Sequence, residues 1–312
     1  MKEKVDLVYL WVDDNDKEWL KKKNAYLKKT ENLDDDASSD CRFHNNDELK
    51  YSLRSVEKYA NWINKIFIIT DNQIPEWLDT TNPRIRIVDH SEIIPKDKLP
   101  LFNSCAIETR IPFIEDLSEY FLYANDDTFF WNEVNKNFFF SEEKIICRID
   151  KFLKKNRKYR SLYGSSLLTT YKIFIKKSES TIYAFYPHHN IDSYRKSLFL
   201  ECINEFKEDF NETLNHRFRQ FDDIQRIIIS LWSLSKDKGI IKFARGNLIK
   251  RFFNFPTDSE VYSLKGKNIP KLNNRNCKLI CINDNQRATD KDRELLRKLL
   301  EEKFREKSSF EK

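Results

Sequence analysis

Two adjacent carboxylates, Asp126 and Asp127, are the residues of this chain best suited to chemistry. They follow the apolar run 121–123, and Asn125 stands directly before them. Carboxylate and amide oxygens are the hard ligands that Mg²⁺ and Mn²⁺ prefer, and such a cation could bridge the oxygens of a diphosphate. Two acids after a strand are also common in an ordinary turn or helix cap. The pair therefore predicts a metal site only in combination with other residues.

Histidine and arginine supply the other groups that could take part in a reaction. His188 and His189 follow Pro187, and the cluster 216–219 reads His-Arg-Phe-Arg. A histidine titrates near neutral pH and can accept the proton of an attacking hydroxyl, for example on an acceptor sugar. Guanidinium groups can hold a phosphate through two parallel hydrogen bonds. Each feature taken alone is more often a structural residue or a solvated surface.

Glycine is scarce, with four in 312 residues. The sequence has neither a Walker loop nor the Gly-x-Gly-x-x-Gly turn, which are the usual backbone cradles for phosphates. A chain of this composition that binds a nucleotide diphosphate must neutralise the phosphates mainly with a divalent cation and with Arg or Lys.

The bulk composition is that of a globular protein with a mild positive charge. The formal net charge of +6 arises from 56 basic and 50 acidic residues, which fits an anionic substrate or a membrane surface and does not require nucleic acid. The six cysteines are expected to be reduced thiols that serve as small apolar residues. The N-terminus lacks a signal-peptide pattern, and no run reaches the roughly 20 apolar residues that span a bilayer. We expect a cytoplasmic protein, with any membrane association peripheral and at the inner face.

The first third of the chain alternates between the strand and helix periodicities. Strands are predicted over 5–12, 65–71, 84–90 and 120–126, and helices over 47–60 and 104–115. Asp13, Asp71 and Asp126 fall at the carboxyl ends of these strands. The alternation predicts an α/β fold with a Rossmann-like sheet, whose ligands lie beyond the strand ends.

The rest of the chain is predicted to be mainly helical. Helices are predicted over 193–210, 221–233 and 290–307. We expect a nucleotide-sugar and metal-binding region over 1–150, a helical region over 151–289 that completes the active site, and an amphipathic C-terminal helix over 290–312.

The order of these segments resembles that of the Stealth family, which includes capsular polysaccharide phosphotransferases and the catalytic subunit of the lysosomal-enzyme GlcNAc-1-phosphotransferase. The resemblance covers nearly the whole chain. The matching segments are 5–16, 42–55, 70–78, 99–108, 120–127, 189–219 with Asp223, and 281–285.

This resemblance implies a glycosyltransferase-type sheet that binds a nucleotide sugar, and transfer of a hexose 1-phosphate from a UDP-sugar to a saccharide hydroxyl in capsular or cell-surface polysaccharide. It implies His189 and Arg219 as the catalytic residues and a Mg²⁺ or Mn²⁺ ion held by Asp126, Asp127 and Asp284. The residues expected to contact substrate are Asp13, Asp16, Arg42, Arg54, Asp71, Asn103, Glu108 and Asp223.

Three questions stay open on the sequence. A metal-dependent glycosyltransferase that breaks the sugar C–O bond and releases UDP would use similar acids. A non-catalytic polysaccharide-binding assembly subunit would tolerate loss of His189 and Arg219. The choice of His189 over His188 rests on the spacing to the later segments.

The expected partners are the UDP-sugar, the oligosaccharide or polysaccharide acceptor and a capsule-assembly or peripheral membrane complex, with no nucleic acid.

Overall fold

A computed structural model of the chain describes residues 2–30, 34, 41, 43–153, 161–178, 180, 182, 184–244 and 256–312. The strands are β1 (Val5–Leu10), β2 (Ile66–Thr70), β3 (Ile85–Asp89), β4 (Tyr120–Asn125), β5 (Thr128–Phe130), β6 (Phe140–Ser141), β7 (Lys144–Phe152), β8 (Phe185–Pro187), β9 (Asp192–Arg195), β10 (Gly239–Phe243), β11 (Thr257–Ser263) and β12 (Cys277–Asn283). The α-helices are α1 (Lys17–Leu27), α2 (Glu48–Tyr59), α3 (His90–Ile93), α4 (Ser104–Glu108), α5 (Leu162–Ser178), α6 (Lys196–Glu205), α7 (Lys207–Asn215), α8 (Ile227–Ser235) and α9 (Asp290–Lys303).

The central sheet has the strand order β3-β2-β1-β4-β9. Its first four strands are parallel, and β9 joins β4 in the antiparallel direction. Parallel sheets need cover on both faces, which is why β1, β2 and β4 read as continuous apolar runs. This topology confirms the predicted α/β, Rossmann-like class.

Successive residues of the central strands point to opposite faces of the sheet. Val8 and Tyr123 belong to one core cluster, whereas Leu7, Tyr9 and Leu122 belong to another. The sheet is therefore the boundary between two cores, and its polar strand ends are the places where chemistry can reach solvent.

Helix α2 confirms the helix predicted over 47–60. Leu49, Leu53 and Val56 lie on one face and pack into the core beside β1 and β2. The Ser52 hydroxyl contacts the Tyr9 hydroxyl at 2.7 Å and lies 2.6 Å from the Thr128 carbonyl oxygen, to which it can donate. These contacts fix the start of α2 close to the end of β4.

Four predicted helices differ from the structure; the helix over 221–233 begins only at Ile227, and the helix over 290–307 ends at Lys303. The helix over 104–115 ends at Glu108 and is followed by a 3₁₀ turn, Ile111–Phe113, in which Pro112 lacks the N–H that a longer helix needs. The helix over 193–210 is wrong at its start, because Ser193 to Arg195 pair with Tyr120 to Leu122 as strand β9. Pairing with the exposed edge of β4 overrides the local helical pattern here.

The region 151–289 supplies strands as well as helices. A second sheet has the order β10-β7-β6, with β8 also paired to β7, and a third has the order β11-β12-β5. The antiparallel pairing of β12 with β5 places Cys281 opposite Thr128. Distant parts of the sequence thus meet at the turn that follows β4.

Helix α9 packs on the domain through its apolar side. Leu296, Leu299 and Leu300 are buried in a cluster that also contains Trp131 and Phe304. Among the described residues, none of the helices is long and apolar enough to cross a membrane.

Candidate active site

The site lies where the strand order of the central sheet reverses. Strand β1 stands between β2 and β4, and Leu10 at its end is level with Asn125 at the end of β4. Ligands of open α/β sheets bind in the crevice at such a reversal, beyond the carboxyl ends of the strands. The fold therefore brings Asp13, which follows β1, and the acid pair, which follows β4, to one edge.

Asp126 and Asp127 occupy the tight turn between β4 and β5. The Asp127 backbone N–H donates to Asp126 Oδ1 at 3.1 Å. Burial, and next the charge of a neighbouring acid, raise the pKa of each carboxyl to about 7; the neighbour is Asp127 for Asp126 and Glu48 for Asp127. Two carboxyls in this environment are stabilised by a bound cation, since each resists ionisation beside the other.

Glu48, at the first position of α2, is a third acid of this cluster. Its side chain is 4% exposed, and it accepts from the backbone N–H and the side-chain amide of Asn46 at 2.6 and 2.8 Å. Burial, and next the negative charge of Asp126, raise the pKa of Glu48 to about 8. Glu48 was not among the predicted site residues.

The group nearest to a metal site among the described residues consists of Asp127, His189 and Cys281, whose ligand atoms lie within 4.8 Å of one another. Asp127 Oδ1 is buried without a hydrogen-bond partner in the described part of the chain. An orphaned buried carboxylate oxygen fits a cation ligand. The predicted ligands Asp126 and Asp284 do not belong to this group.

Cys281 was expected to be a small apolar residue, but it lies against the acid pair. Its thiol donates to Asp127 Oδ2 at 3.5 Å. Burial, and then the charge of Asp127, raise the pKa of this thiol well above its ordinary value. Burial and the neighbouring carboxylate therefore favour the neutral thiol of Cys281 in the metal-free protein. All six cysteines are free thiols.

The two adjacent histidines have different surroundings. His189 Nε2 lies 3.2 Å from the side-chain amide of Asn125, beside the acid pair. His188 is 1% exposed and is held between Asp150, 2.7 Å from its Nδ1, and Ser259, 2.9 Å from its Nε2. This geometry favours His189 as the reactive ring, whereas His188 fixes the segment that carries it.

A charged network lies beneath Asn125. Arg226 donates to Glu108 at 3.0 Å and to Asp192 at 3.2 Å, and its guanidinium lies over the Tyr123 ring. The hydroxyl of Tyr123 lies 3.1 Å from Glu108 Oε1 and 2.9 Å from Asn125 Oδ1. Burial, and next the charge of Glu108, raise the pKa of Tyr123 well above its usual value. Glu108, predicted to contact substrate, is thus engaged on both oxygens by protein groups.

Arg219 lies on the segment after α7 and is anchored to α4. Its Nε donates to the Ser104 hydroxyl at 3.1 Å, and NH2 contacts the same oxygen. Asn103 caps α4 by accepting from the backbone of Cys105, and it donates to Asp223 at 2.8 Å. The predicted contacts Asn103 and Asp223 are therefore brought together, and they hold the loop that carries Arg219.

The acids near β1 and β2 form a separate group. Asp13 and Asp16 are joined by Gln73, whose amide donates to the backbone carbonyl of Asp13 at 2.9 Å and to the Asp16 side chain at 3.1 Å. Asp16 also caps α1 through the backbone N–H of Trp19, which is the main cause of its lowered pKa. Asp71, after β2, is 2.5 Å from Lys22.

Two predicted site residues are paired with other protein side chains. Arg54, predicted to contact substrate, donates two hydrogen bonds of 2.7 Å to Glu311 and one to the Phe304 carbonyl, so protein groups engage its guanidinium. Asp284 accepts from Arg293 at 2.9 Å and from Asn46 at 3.4 Å, so an arginine already balances its charge. Arg42 lies outside the described residues.

The sequence offered little that would identify Glu48, Arg226 and Cys281. An acid in the first turn of a helix is an ordinary partner of the helix dipole, and Glu48 has that position. Arg226 stands in the apolar run 224–229, where one charge is unusual and was the available signal. Cys281 begins the segment 281–285 that matches the family, but the sequence does not show that Asp127 is its neighbour in space.

Comparison with known proteins gives the same family over most of the chain. The family model described as Stealth protein CR2, conserved region 2, matches residues 42–148, and the model for CR1, conserved region 1, matches residues 3–31. Among solved structures, the galactosyltransferase LgtC with donor and acceptor sugar analogs aligns over 96% of both chains, with 12% identity and a TM-score of 0.43. The fold class given above rests on the strand order and not on this alignment.

Curated relatives match over nearly the whole of this chain. The capsular polysaccharide phosphotransferase WcwK of Streptococcus pneumoniae is 34% identical over 99% of this chain and 98% of its own length. The capsular polysaccharide phosphotransferase SacB of Neisseria meningitidis serogroup A is 32% identical over 99% of this chain and 57% of its own. The chain belongs to the Stealth family of capsular polysaccharide phosphotransferases.

Proposed function

We propose that this protein transfers a hexose 1-phosphate from a UDP-sugar to a saccharide hydroxyl during synthesis of a capsular or cell-surface polysaccharide. The names of the relatives that match along almost their whole length support the reaction class. The observation that carries the proposal is the position of His189 beside Asp127, because a proton acceptor stands next to a buried acid cluster suited to a divalent cation.

The proposed reaction moves the sugar and its phosphate as one unit. The acceptor hydroxyl attacks the phosphorus that bears the donor sugar, and a new P–O bond forms. The bond from this phosphorus to the bridging oxygen of the diphosphate breaks, and UMP leaves with that oxygen. The hydroxyl proton goes to His189, and the product is a phosphodiester.

Arg219 would stabilise the negative charge on the phosphoryl oxygens. Ser104 engages two of the nitrogens of its guanidinium, which fixes the orientation of the planar group. A guanidinium has five N–H donors, so others can reach phosphate. Arg219 therefore suits recognition of a charge that develops during the reaction.

Asp126 and Asp127 would hold a Mg²⁺ or Mn²⁺ ion, as predicted from the sequence. Such an ion supplies positive charge to diphosphate oxygens. The residues fit it, because Asp127 Oδ1 lacks a partner in the described part of the chain and burial raises the pKa of both acids to about 7. Asp13, Asp16 and Asp71 would lie on the donor side of the crevice, and Asp284 would support the cluster through Asn46.

The released nucleotide tests the proposal. The protein is incubated with a panel of UDP-hexoses, an acceptor oligosaccharide and Mn²⁺ or Mg²⁺, and the nucleotide product is identified by anion-exchange chromatography. UMP is expected. UDP would identify a glycosyltransferase instead, and a lack of turnover with every donor would favour the non-catalytic binding subunit.

Variants test the assigned roles. His189→Gln and Arg219→Ala are each expected to lower kcat by a factor of about 100 or more, while circular dichroism shows an intact fold. His44→Gln is the matched histidine control, because this half-exposed ring pairs with Asp14. Wild-type turnover in the His189 or Arg219 variant would refute the role given to that residue.

A further inference from the structure

A chain of polar contacts connects a buried ion pair to His189. Arg226 lies 3.0 Å from Glu108 Oε2, and Glu108 Oε1 lies 3.1 Å from the Tyr123 hydroxyl. This hydroxyl lies 2.9 Å from Asn125 Oδ1, and Asn125 Nδ2 lies 3.2 Å from His189 Nε2. Glu108 is 4% exposed and Tyr123 is fully buried, so the first links are shielded from water.

The number of hydrogen atoms available for these contacts determines the orientation of the Asn125 side-chain amide. In the structure, the Asn125 amide directs its oxygen toward Tyr123. The Tyr123 hydroxyl therefore faces two acceptors, Glu108 Oε1 and Asn125 Oδ1. A phenol has one proton and can satisfy only one of them. Arg226 pairs with the Glu108 carboxylate, and a hydrogen bond to a carboxylate is stronger than one to an amide oxygen. The Tyr123 proton is therefore donated to Glu108.

Every contact is satisfied once the amide is rotated by half a turn. Rotation exchanges the amide oxygen and nitrogen while leaving the contact distances nearly unchanged. The NH₂ group of Asn125 then donates to the Tyr123 oxygen, which has a lone pair available. The amide oxygen faces His189 Nε2, and it can only accept, so this nitrogen carries a hydrogen.

We propose that Glu108, Tyr123 and Asn125 are positioning residues that hold His189 in the tautomer protonated on Nε2. Nδ1 is then the basic nitrogen, which takes the proton of the acceptor hydroxyl. This role rests on the proposed function, whereas the tautomer itself does not. None of the three positioning residues needs to touch substrate.

The neighbouring histidine gives an internal reference. His188 Nδ1 lies 2.7 Å from the Asp150 carboxylate, so this nitrogen carries a hydrogen. Its Nε2 lies 2.9 Å from the Ser259 hydroxyl, which can donate to it. Two adjacent rings are therefore expected to show opposite tautomers.

Long-range ¹H–¹⁵N correlation spectra of the wild-type protein with ¹⁵N-labelled histidine measure the tautomers directly, without substrate. His189 and His188 are assigned by the signals lost in the His189→Gln and His188→Gln variants. The expected result is a neutral His189 ring with hydrogen on Nε2 and a His188 ring with hydrogen on Nδ1. A His189 ring protonated on Nδ1 alone, or on both nitrogens at pH 8, would overturn the proposal.

The variant Tyr123→Phe tests the relay, which is the series of contacts from Glu108 through Tyr123 and Asn125 to His189. It removes the group that orients Asn125, so we expect both His189 tautomers to be populated, and kcat to fall about tenfold with little change in the KM of the UDP-sugar. Tyr171→Phe is the matched control: this buried hydroxyl donates to the Phe185 carbonyl at 2.9 Å, outside the relay. An unchanged His189 tautomer in a folded Tyr123→Phe protein would overturn the relay. The expected tautomer in a protein that releases UDP would instead contradict only the proposed reaction.

Discussion

Replacing Glu48 with Gln should make the metal-free protein more stable at high pH, although it removes a buried residue that accepts two hydrogen bonds. Burial and the charge of Asp126 raise the pKa of Glu48 from its ordinary 4.5 to about 8. The folded protein thus holds this proton between about pH 4.5 and pH 8, where the unfolded chain has lost it. Stability conferred by the protonated acid is therefore lost as the pH rises through this window.

The magnitude follows from the width of the window. One pH unit of pKa difference corresponds to about 1.36 kcal/mol, so wild-type protein loses about 4 kcal/mol from this group between pH 5 and pH 9. Glutamine does not ionise, and the variant avoids that loss. A hydrogen bond from Asn46 is weaker in the variant, which costs about 1 kcal/mol of stability. This cost is the same at both pH values, so it cancels when the two are compared.

Urea unfolding at pH 5 and pH 9 in the presence of a chelator measures the effect. The stability of Glu48→Gln relative to wild type is expected to rise by about 4 kcal/mol from pH 5 to pH 9. The exposed Glu302→Gln in α9 is the matched control and should stay within about 0.5 kcal/mol of wild type at both pH values. A relative stability of Glu48→Gln that is equal at the two pH values would refute the reasoning, because Glu48 would then ionise without opposition from the acid pair.

The remaining predictions concern charged groups at and away from the site. Arg226→Met leaves the carboxylates of Glu108 and Asp192 without their shared cation and should lower the free energy of unfolding by about 3 kcal/mol; a loss below ~1 kcal/mol in urea unfolding would contradict the buried pairing. His189→Gln should abolish most turnover yet retain Mn²⁺ binding in titration calorimetry, and loss of Mn²⁺ binding would make His189 a ligand instead of a base. Arg54→Met should lower stability by about 3 kcal/mol and leave the KM of the UDP-sugar unchanged, whereas a raised KM would restore the substrate role expected from the sequence.

Local patterns in the sequence were sufficient for the four parallel strands of the central sheet. Buried parallel strands are continuous apolar runs, and those at β1, β2 and β4 were predicted almost to the residue. The same patterns correctly predicted that Asp126 follows a central strand directly, and its role at the site stays a prediction. These predictions succeed because they depend on short-range periodicity and on a general property of parallel sheets.

Features that depend on contacts between distant residues could not be predicted in this way. Strand β9 pairs with β4 across about 70 residues of chain, and the local pattern favoured a helix there. Cys281 reaches Asp127 only because β12 pairs with β5. Arg54 is conspicuous in a segment that matches the family, yet its partner Glu311 lies in the last residues of the chain.

The fate of the donor phosphorus tests the central claim most directly. A UDP-hexose labelled with ³²P only in the phosphate that bears the sugar is incubated with the protein, an acceptor oligosaccharide and Mn²⁺, and the products are separated by size and charge. Because the proposed attack is on this phosphorus, we expect the label in the saccharide product and unlabelled UMP in solution. Label that stays in released UDP would show that the sugar C–O bond breaks instead, and it would contradict transfer of a sugar phosphate.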